Sequence, residues 1–242
     1  MIGIKYFSLF TLLIFFSGCQ DLVHEKGNGI IVTEDREVEE FDGLNLRGSY
    51  QVFLNQGSRS GLVIETDENL LQYIETEVRD KILYIENLEK ISSKEGTKIY
   101  LTFEQLKELS SAGASTVKSE SLLKAQSLEV SMPGAGILDL QLEVQDLEID
   151  LAGAGLVKLE GWAQNQDIKM SGIGNLEGYD LRSRTCEVTV SGVGSAEVNV
   201  SENLTARING MGGIKYQGNP VSVDQKVSGL GKITNVDEKE AI

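Results

Sequence analysis

A Gly-apolar-Gly element recurs along the second half of the chain and constrains the fold more than any other feature. Its first glycine returns at intervals of 21, 19, 19, 20, 18 and 19 residues, and an apolar residue always follows it. The elements are Gly113-Ala114-Ser115, Gly134-Ala135-Gly136, Gly153-Ala154-Gly155, Gly172-Ile173-Gly174, Gly192-Val193-Gly194, Gly210-Met211-Gly212 and Gly229-Leu230-Gly231. Such a period is typical of an architecture in which each repeat stacks on the next.

Apolar residues flank each element at every second position, and polar residues stand between them. The position two residues before the first glycine, for example, holds Met132, Leu151, Met170, Val190, Ile208 and Val227. This alternation predicts two short strands that meet at a corner. Glycine is expected there because a sharp turn favours positive φ and stacked corners leave no room for a Cβ. The sequence therefore predicts an all-β fold, a right-handed parallel β-helix or solenoid with coils of about 19 residues, its hand following the usual crossover preference.

Residues 38–110 lack this period but still alternate in short stretches. Strands are predicted at 44–46, 50–54, 62–65, 82–85 and 97–101. Asp67 is predicted to cap a helical turn or two, followed by a strand. We interpret 38–236 as one solenoid domain, in which 38–110 adds coils or caps the rod and 111–236 carries the repeats; 237–242 is a charged tail.

The first 18 residues have the features of a lipoprotein signal peptide. Lys5 precedes an apolar stretch over 7–16 that is too short to span a bilayer. It ends in Phe16-Ser17-Gly18-Cys19, which resembles the lipobox of bacterial lipoproteins, although Phe16 stands where leucine is usual. We predict lipidation of Cys19, a linker over 19–37, and export to the cell envelope with an outer-membrane lipid anchor. The alternative is a plain secretory signal with an incidental cysteine.

Charge and cysteine content exclude several function classes. The formal net charge of −15 repels phosphate backbones, so no nucleic-acid partner is expected. Cys186 lies in an alternating stretch that points it inward, and the single histidine, His24, lies in the predicted linker. Cys186 is therefore interpreted as a buried structural thiol and not as a nucleophile.

Carboxylates and one tryptophan are the residues that suggest a site. The carboxylate candidates for glycan cleavage are Asp139, Glu143, Glu148, Asp150, Glu160 and Glu177. None has a histidine or a cluster of basic residues beside it, so no catalytic residue is predicted. Trp162 is a candidate for stacking on a sugar ring; the alternative is a ring that covers the edge of a coil.

The remaining candidate site in this glycine-rich repeat protein is a column of calcium ligands. The position five residues after the first glycine holds Lys118, Asp139, Lys158, Glu177, Glu197, Lys215 and Thr234. Because lysine interrupts the carboxylates, this column is interpreted as solvent-facing, and no metal or cofactor is predicted.

The chain resembles the GIN-domain family of auto-transporter adhesin heads in bacterial envelope lipoproteins. The resemblance rests on Phe41-Asp42-Gly43-Leu44 leading into Gly48-Ser49-Tyr50-Gln51-Val52, then Thr66-Asp67-Glu68-Asn69-Leu70-Leu71, Glu75-Thr76-Glu77-Val78 and the Gly-Ala-Gly corners. It covers roughly 38–235 and implies an exported right-handed β-helix without a demonstrated enzymatic role. We therefore expect a non-catalytic envelope lipoprotein whose surface serves adhesion or carbohydrate or protein binding. A polysaccharide hydrolase or lyase and a structural envelope component are the alternatives.

Overall fold

The computed structural model describes residues 24–237, which form strands almost throughout. The N-terminal strands are β1 (His24–Lys26), β2 (Ile31–Arg36), β3 (Gly43–Arg47), β4 (Tyr50–Gln56), β5 (Gly61–Asp67), β6 (Ile74–Arg79), β7 (Ile82–Asn87), β8 (Lys90–Ser92) and β9 (Thr97–Phe103). A 3₁₀ helix over Glu68–Tyr73 lies between β5 and β6. The strands of the repeats are β10 (Glu108–Ser111), β11 (Ala114–Ser119), β12 (Leu123–Ser131), β13 (Ala135–Leu151), β14 (Ala154–Met170), β15 (Ile173–Val190), β16 (Val193–Ile208), β17 (Met211–Gln217), β18 (Ser222–Val227) and β19 (Leu230–Asn235).

The repeats stack in parallel, one coil on the next, as the period predicts. β13 pairs with β14 from Ala135 opposite Ala154 to Leu151 opposite Met170. We call the side formed by the first residues after each Gly-x-Gly corner face A, and the side formed by the residues before the next corner face B. The short side between them is face C; in β13 the three sides span 135–140, 146–151 and 141–145. The predicted parallel β-solenoid is confirmed.

The corner glycines are required by close backbone contact between coils. A Cβ on Gly153 would lie 1.7 Å from the carbonyl oxygen of Gly134, far inside any real contact distance. The other six first glycines, from Gly113 to Gly229, would meet the oxygen of the glycine one coil earlier at 1.9–2.1 Å. A positive φ angle was the other predicted reason for glycine at the corners, and this prediction is wrong for the column of first glycines. Positive φ occurs in the second column at Gly136 (147°) and Gly194 (153°).

Aliphatic columns fill the interior, with one polar interruption. One inner column of face B consists of Leu128, Leu147, Gln166, Cys186 and Leu204, all buried and in register. The Gln166 Nε2 group is buried without a hydrogen-bond partner. Cys186 is buried, which confirms its interpretation as an inward-facing residue, and this burial raises the pKa of its thiol.

The first coil of the rod comes from the less regular N-terminal region. β3 and β4 pair in parallel with β10 and β11 on one side and with β7 and β9 on the other. Gly48 lies directly beneath Gly113, and its carbonyl oxygen would be 1.9 Å from a Cβ there. The strands β3 and β4 of the region 38–110 therefore form a coil that continues the stack of the repeats.

Antiparallel strands close this end of the rod. β5 pairs with β9 and β2 pairs with β5, while β6 pairs with β7, all antiparallel. β1 and β2 fall within the predicted linker, so the structure differs from that prediction over 24–36. Most residues of this segment are polar, so its sequence did not indicate a strand that covers the end of the rod.

Asp67 lies at the junction of β5 and the 3₁₀ helix. A short helix followed by a strand is confirmed, but the Asp67 side chain does not cap it. Its Oδ1 instead accepts a hydrogen bond from the Gly29 amide at 2.6 Å and so ties the chain before β2 to the cap. The predicted lipidation site Cys19, the predicted signal peptide over 1–18 and the predicted charged tail beyond Asp237 lie outside the described residues. Between residues 24 and 237, no helix has the length and hydropathy needed to cross a membrane.

Candidate ligand-binding grooves

A groove of about 700 Å³ runs along face B between two columns of outward-facing polar side chains. One column, the acidic ladder, consists of Glu108, Glu129, Glu148, Asp167 and Glu187, which are in register on consecutive coils. The other, the polar ladder, consists of Ser127, Asp146, Asn165, Thr185 and Asn203. The buried inner column that begins at Leu128 lies between the two ladders, one residue along the chain from each. Its side chains point into the core, so its main chain forms the floor of the groove.

The acidic ladder places like charges on neighbouring coils, which are about 4.8 Å apart. Such pairs repel each other unless cations or hydrogen-bond donors compensate them. The Lys169 ammonium does so in the middle, 2.9 Å from Glu148 and 3.1 Å from Asp167, and these carboxylates raise the pKa of Lys169. Within the described part of the chain, Glu108, Glu129 and Glu187 have no ion-pair partner. This wall of the groove therefore favours ligands that donate hydrogen bonds.

The polar ladder is held in place by its own hydrogen bonds. Asn165 Nδ2 donates to Asp146 Oδ1 at 2.7 Å, and Thr185 Oγ1 donates to Asn165 Oδ1 at 2.7 Å. These side chains come from three consecutive coils, and each bond fixes the rotamer of the next residue. The wall is therefore ordered before any ligand arrives.

A second groove, of about 910 Å³, continues from the first around the corner onto face C. Lys107, Ser127 and Asp146 line both grooves. Its side chains include Trp162 and three glutamines at equivalent positions of successive coils, which we call the amide ladder: Gln126, Gln145 and Gln164.

Trp162 lies between Glu143 and Arg182 in a column of face C. Its side chain is 38% exposed, so part of the ring lies on the coil and part remains reachable from the groove. Glu143 is itself paired with Lys124 at 2.8 Å. A large aromatic surface beside neutral amides can support a flat, polyhydroxylated ligand.

Gln56 fixes the N-terminal edge of the second groove. Its Oε1 accepts from the Lys124 amide at 2.7 Å, while its Nε2 donates to the carbonyl oxygens of Glu104 and Lys124 at 2.9 and 3.0 Å. One side chain at the end of β4 thus holds the segments before β10 and at the start of β12. This edge is rigid although part of it lies between strands.

The structure does not gather the six carboxylate candidates into one site. Glu148 lies in the first groove, Glu143 lies in the second beside Trp162, and Asp150 lies on face B one column farther from the groove wall. The other three, Asp139, Glu160 and Glu177, line a smaller depression of about 310 Å³ elsewhere on the rod. Burial raises the pKa of Tyr179 in that depression to about 12.

Sequence reasoning missed the acidic ladder, although the signal was present. The position five residues before each first glycine holds Glu108, Glu129, Glu148, Asp167, Glu187, Thr205 and Asp224. Read one coil at a time, these are ordinary surface residues. Only the stacking of coils turns them into a column.

The column suspected of binding calcium is a row of ion pairs. Lys158 lies 3.3 Å from Glu177, and Lys215 lies 2.9 Å from Glu197, each pair joining neighbouring coils. Its solvent-facing interpretation is confirmed for these residues, whose side chains remain partly exposed. From residue 24 to residue 237, no group of three or more His, Cys, Asp or Glu side chains is placed to hold a metal ion.

The fold is similar to that of several solved bacterial proteins. A putative adhesin from Bacteroides fragilis NCTC 9343 is 29% identical, with a TM-score of 0.83 over 87% of this chain and 99% of its own. A putative lipid binding protein from Parabacteroides distasonis ATCC 8503 is 22% identical (TM-score 0.71, 88% and 100% covered). A putative adhesin from Parabacteroides merdae ATCC 43184 is 24% identical (TM-score 0.63, 88% and 99% covered). The last two likenesses establish the fold alone.

No curated protein is detectably similar to the chain. Residues 40–220 match the family model described as "Putative auto-transporter adhesin, head GIN domain", and this match covers the first coil, the capping strands other than β2, and most of the repeats. The chain therefore belongs to the GIN-domain family of auto-transporter adhesin heads.

Proposed function

We propose that the chain is a non-catalytic adhesin of the bacterial cell envelope that binds neutral glycan chains in the two connected grooves. Membership of an adhesin family supports the general role, as does the similar B. fragilis protein, itself named a putative adhesin. One observation carries the choice of ligand. A half-buried tryptophan and an amide ladder line one groove, and an acidic ladder lines the groove connected to it.

Trp162 supplies the apolar contact in this proposal. Sugar rings have faces of C–H groups that pack on an aromatic ring, while their hydroxyl groups point sideways. The amide ladder lies on the same face, where each glutamine can both donate to and accept from a hydroxyl group. The arrangement supports binding of a polymer at repeated, equivalent positions, because the side chains recur once per coil.

The charge of the grooves supports a neutral glycan over an acidic one. Unpaired carboxylates of the acidic ladder accept hydrogen bonds from sugar hydroxyl groups, and bonds to a charged acceptor are stronger than neutral ones. The same carboxylates repel uronate and sulfate groups, as does the overall charge of −15. The face B groove extends over six coils, from Glu108 to Thr205, a length of about 24 Å. This length suits several consecutive sugar units.

A lipid anchor on Cys19 at the outer membrane completes the proposal. Cys19 precedes β1 by five residues, and β1 pairs with β8 in the N-terminal part of the rod. An anchor at this position leaves both grooves and the C-terminal end of the rod free. The anchor is tested by radiolabelled fatty acid incorporation, which Cys19→Ser should abolish.

A glycan array probed with the whole chain tests the binding site. We expect binding to neutral polysaccharides, weakened about tenfold or more by Trp162→Ala because the stacking surface is lost. Tyr100→Ala is the matched control, since Tyr100 is 39% exposed, stacks on Phe53 and lies outside both grooves. Equal losses in the two variants, or a preference for sulfated glycans, would contradict the proposal.

The rival function is glycan cleavage, because the acidic ladder places carboxylate residues on neighbouring strands about 4.8 Å apart, near the carboxyl separation of about 5 Å in a retaining glycosidase. A turnover assay on every glycan that binds separates the two functions. We expect no product. Product release that Glu129→Gln abolishes would establish an enzyme, and no binding across the array would favour a structural envelope component.

A further inference from the structure

The C-terminal end of the rod presents an open strand edge. β18 pairs with β16 along one side, and no strand within residues 24–237 pairs with its other side. Val223 and Val227 belong to the inner columns, yet they are 39% and 45% exposed, whereas Leu204 and Ile208 one coil earlier are buried. At the opposite end, antiparallel strands cover the first coil. The two ends therefore differ in what they offer to a partner.

The main chain of β18 has donors and acceptors free along this edge. The Ser228 amide donates to the Ile208 carbonyl oxygen at 2.8 Å, so residue 228 faces β16. Main-chain groups alternate in direction along a strand, and the register from Ser222 to Val227 has no bulge. The amide and carbonyl groups of Val223, Gln225 and Val227 therefore point to the open side.

The sequence of this edge is self-complementary. It reads Ser222-Val223-Asp224-Gln225-Lys226-Val227-Ser228, with the same chemistry from either end except that the charges exchange sign. We propose that two copies of the chain form a dimer, end to end, by antiparallel pairing of β18 with β18 about Gln225. In this register Asp224 lies opposite Lys226 of the second copy, and Val223 lies opposite Val227.

The pairing suits the side chains on both faces of the strand. Residues directly opposite in an antiparallel pair point to the same face, so the valines extend the inner aliphatic columns across the junction. Asp224 and Lys226 lie on the outer face. Asp224 already accepts a hydrogen bond from Arg207 of its own chain, and a carboxylate has acceptor sites for a second cation.

Exposed apolar residues at the ends of β18 fit the same register. Val221 and Leu230 are 87% and 75% exposed, the two highest values among the large hydrophobic residues described. Continued past the strand ends, the pairing sets Val221 opposite Gly229 and beside Leu230 of the second copy. Each dimer would thus cover four apolar side chains that the single chain leaves in water.

Charge also favours this end over the rest of the molecule. Two chains of charge −15 repel each other, but residues 220–235 contain one aspartate and two lysines, a local charge of +1. A two-fold axis at Gln225 makes the contact isologous and therefore closed, so it yields a dimer and not a fibre.

Sedimentation equilibrium of the whole chain, in density-matched detergent, tests the dimer, and charge reversal tests the register. We expect a monomer–dimer equilibrium whose dissociation constant rises about tenfold or more in Asp224→Lys and in Lys226→Asp, because each change puts like charges opposite each other twice. The double variant exchanges the two charges and should restore the wild-type constant. Lys118→Asp, a reversal near the other end, is the matched control and should change nothing.

Gln225→Pro provides an independent test of the strand edge. The lost amide points to the open side, so the coil keeps its own hydrogen bonds while the pairing is blocked. We expect a monomer with the wild-type circular dichroism spectrum. A wild-type chain that stays monomeric at about 100 µM, or a double variant no better than the single ones, would overturn the proposal. Glycan binding by a monomeric chain would leave the proposed function standing, so the two can fail separately.

Discussion

The repeats from β10 to β19 and the N-terminal region from β1 to β9 build the same rod by different means. In the repeats each coil pairs only with the coils before and after it, and the backbone at the corners is in direct contact. In the N-terminal region β3 and β4 lie between strands from two distant parts of the chain, and antiparallel strands close the end. In the repeats, close backbone contact at the corners thus limits which residues are tolerated, whereas in the capped region side-chain packing sets this limit.

Aromatic residues show the difference on the side-chain level. Phe41 and Phe103 pack with ring centroids 6.3 Å apart, and Phe53 stacks on Tyr100 at 5.0 Å, all within the N-terminal region. In the repeats, aliphatic residues repeated once per coil fill the interior. A column of identical shape suits a regular stack, whereas the buried Phe41–Phe103 pair fills irregular space where parallel strands give way to antiparallel ones. The Phe53–Tyr100 stack lies on the surface of the same region.

Gly153→Ala should break the repeat region more severely than any comparable change in the cap. Its Cβ would overlap the Gly134 oxygen, so the corner must open and disturb the coils on both sides. We expect a loss of more than about 3 kcal/mol in the free energy of unfolding. Denaturant unfolding followed by circular dichroism measures it.

Gly61→Ala is the control for this prediction in the N-terminal region. The nearest atom to its Cβ would be the Thr102 Cβ at 3.9 Å, an ordinary contact. The free energy of unfolding should change by less than about 1 kcal/mol, in either direction. Similar losses at Gly61 and Gly153 would show that backbone contact does not distinguish the two regions.

Gln166→Leu should stabilise the repeats, because it removes the polar interruption from an inner column. Leu147 occupies the same position one coil earlier, so the leucine shape already fits the column. Removing a buried amide that lacks a partner should raise the free energy of unfolding by about 1–2 kcal/mol. The same denaturant titration measures it, and Gln164→Leu on the surface should change little. A destabilised variant would mean that the amide has a binding partner or a role in the groove.

The same contrast explains what the sequence could predict. The repeats reveal themselves because coil contacts join residues about 19 apart, so one pattern recurs often enough to be seen. The first coil was hidden, since Gly48 stacks beneath Gly113 only after an excursion of 64 residues. The strand β2 was assigned to a linker because its covering role depends on an antiparallel partner that the sequence does not specify.

The candidate site divides in a similar way. Trp162 was conspicuous as the single tryptophan, but its neighbours on face C come from other coils and could not be assembled beforehand. The acidic ladder repeats with the glycine period, yet its meaning depends on which columns face the same groove. The self-complementary strand at Gln225 was equally visible and became meaningful only once β18 proved to be an edge.

Acid should loosen the cap before it loosens the repeats. The Ser93 hydroxyl and the Gly29 amide hold the pKa of Asp67 below its ordinary value. Because the folded pKa lies below the unfolded value of about 3.9, ionised Asp67 stabilises the cap above that pH, and this contribution disappears as the pH falls toward the folded pKa. Hydrogen exchange measured at pH 7 and near pH 3 should show β2 losing protection while β15 keeps it.

Asp67→Asn supplies the control for the acid experiment. The amide cannot ionise, so the variant should be less protected in β2 at pH 7 but should lose little more on acidification. Wild type and variant should converge near pH 3. A constant difference at both pH values would assign the effect to packing of the Asp67 side chain, which lies close against Gly27, and not to the charge.

The smallest effects are expected from ion pairs, where the two regions can still be compared. Glu197 and Lys215 join parallel coils at 2.9 Å, with exposures of 22% and 51%, whereas Glu65 and Lys98 lie opposite each other on antiparallel β5 and β9 at 2.6 Å, with 28% and 33%. Double-mutant cycles with alanine should give the Glu197–Lys215 pair a coupling below about 1 kcal/mol. Both pairs are directly opposite in their registers, and the Glu65–Lys98 pair should couple more strongly because its ammonium is less exposed. Salt at 0.5 M should weaken the coil pair more. A larger coupling energy for Glu197–Lys215 would contradict this prediction. It would mean that ion pairs between neighbouring coils reinforce one another, so that side chains as well as backbone contacts hold the repeats together.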